Sequence, residues 1–258
     1  MSSFDSPSDD LGVFIAAHKL YDLPTDNSYQ PIHVGKTSSE VSLPYPGDDT
    51  GDNISALNNT YCELTALYWA WKNTQHDAYG LVHYRRYFAG KDGTPATGVE
   101  MRAMLSGVDV VVPRRRHYVV QTVAQHYASA HHGRDLEVVR EVLAIHDPAA
   151  VPAFDAVMGG RKLVLYNMML MHSAQFSSYC SWLFPLLEIT RAEIPMNNYG
   201  PQQARVMGYL GERLLNVWLR KEPHLRVRYQ QVVEIEPQSI LVKGTRMVGR
   251  IAGFGRAE

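Results

Sequence analysis

His83, Tyr84, Arg85 and Arg86 follow directly on the apolar run 78–82, and His18 and Lys19 follow in the same way on the apolar run 11–17. Short apolar runs of this kind predict buried central strands. In open α/β sheets, ligands bind outside the C-terminal ends of the strands. Guanidinium forks match phosphate oxygens, so these groups on one sheet edge predict a cationic pocket suited to a diphosphate attached to something aromatic. Asp52, Asn53 and Ser55 stand just before a helix. All three are N-cap types, and the unpaired amides of a helix N-terminus also attract anions. The sequence leaves open which of them caps. Plainer readings exist: an arginine pair as solvated surface, a histidine beside a strand as a structural residue, and a cap that does nothing more.

Two carboxylates sit where chemistry would use them. Glu63 is the odd residue of an otherwise apolar helix, beside the small residues Ala66 and Ala70. There it either pairs with a buried cation, Arg85 or Arg86, or faces a ligand. Glu212 shares a stripe with Arg205, Tyr209 and Asn216 on a later helix, and that stripe is either solvated surface or one wall of a cleft. A second basic cluster, Arg114, Arg115, Arg116 and His117, follows the strand predicted at 108–112. It reads as a solvated loop, a phosphate neutraliser or a contact for anionic lipid headgroups. His126 and His131 are five apart, which does not stack them on one helical face, and no Cys or acidic residue stands at zinc-like spacing beside them. No metal site is expected.

These groups need a frame. The stretch after Ser55 and up to Asn73 predicts one buried helix, with Tyr61, Leu64, Tyr68 and Trp71 at three- and four-residue steps. Further helices are expected at 99–105, 122–130, 135–146, 175–188 and 202–220. Pro185 should kink or divide the fourth of these. Strands are expected at 11–17, 31–35, 78–82, 108–112 and 161–171, with late strands or extended tail at 227–235 and 239–242. Strands alternating with helices predict an α/β fold on a mostly parallel central sheet flanked by helices. The expected division is a flexible tail over 1–10, one domain over 11–220 and a C-terminal extension over 221–258.

The 258 residues are 45% hydrophobic and 20% charged, which supports a substantial core. A net charge of −1 argues against nucleic-acid binding through bulk electrostatics. Cys62 and Cys180 give no disulfide framework and suggest a reducing compartment. The acidic, polar N-terminus does not read as a signal peptide, and no apolar run approaches the roughly 20 residues of a membrane span. A cytoplasmic location is expected. Walker, G-x-G-x-x-G, H-E-x-x-H and G-x-S-x-G motifs are absent, which removes the commonest hydrolase and dinucleotide readings.

An α/β sheet whose central strand ends in a polar signature is the layout of nucleotide-sugar glycosyltransferases of the A fold class. In most of them the signature is a metal-carrying Asp-x-Asp; here HYRR stands in its place. More specifically, the chain resembles a bacterial capsule, exopolysaccharide and O-antigen biosynthesis family, formerly a domain of unknown function, associated with galactofuranosyl transfer. The resemblance is carried by IAAHK at 15–19, PIHVG at 31–35, DDTGDNIS at 48–55 and NNTYCELTALYWAWKN at 58–73. It continues with YGLVHYRRYF at 79–88, YNMMLM at 166–171, YCSWLF at 179–184 and GYLGERLL at 208–215. It implies UDP-galactofuranose as donor and a glycan or lipid-linked saccharide as acceptor. Inversion would proceed by single displacement without metal or other cofactor. His18, Lys19, Asn53, Ser55, His83, Tyr84, Arg85 and Arg86 would hold the UDP-sugar. Glu212 is the preferred base by analogy with the fold class, with Glu63 and Asp52 as alternatives. A UDP-pyranose donor and a non-catalytic nucleotide-sugar or glycan-binding module are the rival readings. Peripheral contact with the inner membrane face is compatible with each.

Overall fold

The structure is a computed structural model that describes residues 10–235. The tail expected over 1–10, apart from Asp10, and the strand expected at 239–242 lie outside the described residues.

Strands β1 (Leu11–Ala17) and β2 (Tyr29–His33) come first, then helices α1 (Asn58–Tyr61) and α2 (Leu64–Asn73), then β3 (Ala78–His83) and β4 (Arg86–Phe88). Next are α3 (Gly98–Leu105), β5 (Val110–Pro113), β6 (Arg116–His117), α4 (Val123–Ala130), α5 (Arg134–His146) and α6 (Val151–Met158). The described chain ends with β7 (Lys162–Leu163), β8 (Met169–His172), α7 (Ser173–Glu193), α8 (Val206–Lys221), β9 (Val227–Gln230) and β10 (Val232–Glu234).

β1 is buried along its whole length because it is paired on both edges, parallel to β2 and to β3. Such strands carry near-continuous apolar runs, here LGVFIAA. Its two faces serve two cores. Phe14 and Ala16 pack with Leu64, Leu67, Leu183 and Leu214 under α2, α7 and α8. Val13 and Ile15 pack with Tyr87, Phe88 and the α3 residues Met101 and Leu105. Helix α3 starts on a capping box, in which Thr97 and Glu100 satisfy each other's backbone donors.

The sheet is mixed, which corrects the expectation of a mostly parallel one. Pairs β1–β2, β1–β3 and β5–β9 are parallel, whereas β3–β4, β3–β8, β5–β8 and β4–β10 are antiparallel. The reason lies in residues 161–171, which form no single strand. The chain breaks at Tyr166 and Asn167, both with positive φ (77° and 52°). The break sits beside the C-terminal end of β3, so β8 enters the sheet there and runs down against β3, pairing Met169 with Leu81 and His172 with Ala78.

Three other expectations change. The single helix expected between Ser55 and Asn73 is two helices, broken at Cys62 (φ 54°). Asn58 Nδ2 donates to the Cys62 carbonyl at 2.7 Å, and Thr65 Oγ1 donates to it at 3.1 Å. Side chains thus satisfy a carbonyl that an unbroken helix would have bonded. Conversely, α7 runs through Pro185 undivided. Pro185 is exposed while Leu183, Phe184, Leu186 and Leu187 are buried, so the lost hydrogen bond falls on the wet side and packing holds the rest. The third change concerns residues 221–258: β9 pairs with β5 and β10 with β4, so the described part of the expected extension belongs to the central sheet.

Candidate functional site

The C-terminal ends of β1 and β3, the break between α1 and α2, the Tyr166–Asn167 turn and the first turns of α8 enclose a cleft of about 870 Å³. His18, Glu63, His83, Tyr84, Arg85, Arg86, Arg205 and Glu212 line it together. The sheet edge therefore gathers most of the residues the sequence pointed to.

β3 and β4 are joined by the two-residue turn Tyr84–Arg85, which projects the HYRR side chains into the cleft. Tyr84 stacks on Tyr21 (ring centroids 4.0 Å apart) and meets His18 edge-on at 5.1 Å. His18 is open to the cleft, yet burial of its surroundings lowers its pKa below the ordinary 6.5, and the charges of Lys19, Arg205 and Arg85 lower it further. The neutral form is thus favoured, and the ring adds an aromatic face to the cleft.

The positive charge comes from guanidinium groups. Arg86 Nη2 lies 2.9 Å from Glu234 Oε1 and Arg85 Nε lies 3.7 Å from the same oxygen. The Arg86 guanidinium also covers the Tyr166 ring at 4.6 Å. Its Nε is buried and donates to nothing among the described residues. Glu234 belongs to β10, which pairs with β4 as Glu234 opposite Arg86. No periodicity in the sequence linked this residue to the cluster.

The two carboxylates line the same cleft beside the Tyr166–Asn167 turn. Glu63 occupies the break before α2, and its Oε1 accepts from Asn167 Nδ2 at 2.8 Å. Glu212 Oε1 accepts from the Tyr166 backbone N–H at 2.7 Å, and its Oε2 accepts from Arg213 Nη1 at 3.0 Å. Burial raises the Glu212 pKa above its ordinary 4.5 and the Glu63 charge adds to the rise; Arg213, the Tyr166 N–H and His83 oppose it. His83 Nε2 lies 2.5 Å from the Tyr166 carbonyl oxygen and 4.0 Å from Glu63 Oε1. A carbonyl only accepts, so Nε2 carries the hydrogen in that contact.

Tyr166 and Asn167 therefore organise both carboxylates and His83. Asn167 is fully buried, donates its second amide hydrogen to the Gly208 carbonyl at 3.0 Å, and leaves its Oδ1 without a partner among the described residues. Two successive non-glycine residues at positive φ cost on the order of 1–3 kcal/mol each and persist where surrounding contacts over-determine them. The signal in the sequence was a lone Asn within an apolar run, because Asn is the side chain that best tolerates this backbone region.

Four expected site residues lie elsewhere. Asp52 is engaged by the Tyr68 hydroxyl at 3.0 Å and by Lys72 at 3.9 Å, near the far end of α2. Asn53 Oδ1 accepts from the Ser55 N–H, and Ser55 Oγ donates to the buried Asp48 carboxylate. These are local turn contacts, and the segment after them is a single 3₁₀ turn (Ser55–Leu57) with no side-chain cap. No anion-binding helix N-terminus forms there. Lys19 is exposed and is not among the residues that line the cleft. Glu63 is not paired with Arg85 or Arg86; those arginines turn to Glu234.

Cys62 also lines the cleft. Its Sγ accepts from Arg205 Nε at 3.2 Å, and burial pushes the thiol up to about 11, so it is not a nucleophile at neutral pH. Among the described residues, no group of three or more His, Cys, Asp or Glu is placed to hold a metal ion, and no helix is long and apolar enough to cross a membrane.

No curated protein matches the chain. Among solved structures, it is similar to the apo structure of the bifunctional glycosyltransferase WbbM, with 28% identity and a TM-score of 0.83. The match covers 88% of this chain and 45% of the WbbM chain, so this chain spans less than half of that protein. The α/β fold expected from the sequence is thus a glycosyltransferase fold. The family model described as a domain of unknown function, DUF4422, matches residues 12–223, and the chain belongs to that family.

Proposed function

We propose that the chain is an inverting, metal-independent glycosyltransferase that moves galactofuranose from UDP-galactofuranose to a glycan acceptor in bacterial surface-polysaccharide synthesis. One observation carries the reading: Arg85 and Arg86 line the same cleft as Glu63 and Glu212, at the C-terminal edge of the sheet. The likeness to WbbM supports the reaction class, and the family resemblance supports the sugar.

In this reading Arg85 and Arg86 receive the diphosphate. Glu234 is half-exposed in its contacts with both, so a diphosphate can take its place as the anion between them. The Tyr84, Tyr21 and His18 rings offer a face to the uracil. Glu212 takes the proton of the acceptor hydroxyl as its oxygen attacks the anomeric carbon. The bond from that carbon to the UDP oxygen breaks, and UDP leaves with its charge on the two guanidinium groups. The raised pKa of Glu212 suits a general base, and Glu63 is the second carboxylate within the same cleft.

The test is a panel of UDP-sugars in a thermal-shift assay, followed by UDP release with and without a galactan acceptor, in excess EDTA throughout. Selective stabilisation by UDP-galactofuranose and acceptor-dependent turnover are expected. Selective stabilisation by a UDP-pyranose would replace the donor. Binding without transfer or hydrolysis would make the chain a nucleotide-sugar-binding module. A tenfold loss in EDTA restored by manganese would overturn metal independence.

A further inference from the structure

Away from the cleft mouth, β6 and β7 form a small antiparallel ribbon, with Arg116 opposite Leu163 and His117 opposite Lys162. The ribbon sorts its side chains by type. Leu163 and Tyr118 are buried, whereas Arg114, Arg115, Arg116, His117, Arg161 and Lys162 are exposed. At its tip Val119 and Val120 are 77% and 81% exposed, the two most exposed large aliphatic side chains among the described residues. The tip is anchored: the Tyr118 N–H donates to the Arg161 carbonyl at 2.8 Å, and Arg161 Nη1 donates to the Val119 carbonyl at 3.1 Å. A pinned loop that presents two adjacent valines to water, with five exposed cations on the ribbon and the segments leading into it, is not ordinary surface.

Among the described residues these cations, Arg114, Arg115, Arg116, Arg161 and Lys162, have no ion-pair partner. The sequence carries no Asp or Glu between Asp109 and Asp135, nor between Asp155 and Glu188. Asp109 is taken by Arg226 and the buried Asp135 by Tyr127 and Tyr199. On a chain of net charge −1, this is a local positive field around an aliphatic tip.

We propose that this ribbon docks the protein on the surface of a bilayer that carries anionic lipid, with Val119 and Val120 entering the headgroup–acyl boundary and the five cations meeting the phosphates. The chemistry selects this partner. Aliphatic tips gain by leaving water for an acyl boundary, and basic side chains near an anionic leaflet each add to binding. A single-stranded nucleic acid would call for aromatic platforms, which the tip lacks. The ribbon also leads into the cleft, because Leu163 is followed by Val164, Leu165 and the cleft residue Tyr166. Docking does not depend on the transferase reading. If that reading holds, the ribbon keeps the cleft next to the surface on which a lipid-linked acceptor is presented.

The experiment is vesicle flotation of the full chain. Vesicles of phosphatidylethanolamine with about 30% phosphatidylglycerol, a composition with a strongly negative surface, should float the protein, and pure phosphatidylcholine vesicles should not. Arg114→Gln/Lys162→Gln should lower the partition about 25-fold, at roughly fivefold per cation. Val119→Asp/Val120→Asp should abolish flotation, with the circular dichroism spectrum and thermal midpoint unchanged. Flotation that is absent, that is equal on both vesicle types or that ignores the valines overturns the proposal. Equally tight binding of wild type and valine variant to a short RNA, with no vesicle binding, would make the ribbon a polyanion site instead. UDP release toward a soluble acceptor should be unaffected by either variant, so failure here leaves the transferase reading standing.

Discussion

Glu63 and Glu212 are held on one cleft wall by successive residues of a single left-handed turn: Asn167 Nδ2 donates to Glu63 and the Tyr166 N–H donates to Glu212. Glu63 comes from the break between α1 and α2 and Glu212 from α8, so the turn fixes their relative placement. It does so from the strand end that also receives His83.

Glu212→Gln should reduce turnover by at least about a hundredfold, the scale of a general base, with donor affinity retained. The wild-type rate should rise with pH through a limb above the ordinary carboxylate pKa of 4.5, because burial raises the folded value. The stability sign follows by linkage. A group raised on folding contributes stability that is full below its unfolded pKa and is lost as pH rises through the folded value. Wild type should therefore lose stability relative to Glu212→Gln as pH rises above about 4.5. Denaturant titrations of both proteins across that window check this, and parallel curves would remove the buried-carboxylate assignment.

Arg86→Ala should raise the donor KM about ten- to hundredfold, since hydrogen bonds to charged groups are worth about 1.5–3 kcal/mol. Arg86→Lys should recover little, because the planar fork is lost. Arg85→Ala should have the smaller effect, as its side chain is the more exposed of the two. Donor titrations by calorimetry measure all three, and unchanged affinity in Arg86→Ala would end the leaving-group role.

Asn167→Gly keeps a backbone that tolerates positive φ but removes the donor to Glu63. Transfer should fall about tenfold or more, on the same hydrogen-bond scale, and the acid limb of the pH–rate profile should move. Asn167→Leu adds strain at φ 52° and should also lower the thermal midpoint. A purely structural Asn167 would shift stability in both variants and leave the pH profile in place.

Asp52→Asn should leave transfer within about twofold of wild type and change stability by less than about 1 kcal/mol, as for an exposed ion pair. Its carboxylate meets Tyr68 and Lys72 outside the cleft. A collapse of activity would mean that the cleft is bounded differently from the structure described above.

The sequence by itself determined the buried strands and the polar groups at their ends. Apolar runs such as LGVFIAA and AYGLV state burial directly, and the residues just past them must lie at a sheet edge. His18, His83, Arg85 and Arg86 were legible for that reason, and Glu212 because the periodicity of α8 separates its faces. Tertiary structure decided which edges meet. The pairing of Glu234 with Arg85 and Arg86 depends on β10 returning to β4 from the far end of the chain. The grouping of Glu63 with Glu212 depends on a helix break at Cys62 and a left-handed turn at Tyr166–Asn167. Local propensity hints only at the turn, through Asn167; both are held by long-range hydrogen bonds and packing that one-dimensional spacing does not record. The same limit misplaced Asp52, Asn53 and Ser55: cap-type residues announce a turn, but only the packed fold shows whether a helix N-terminus opens onto a ligand.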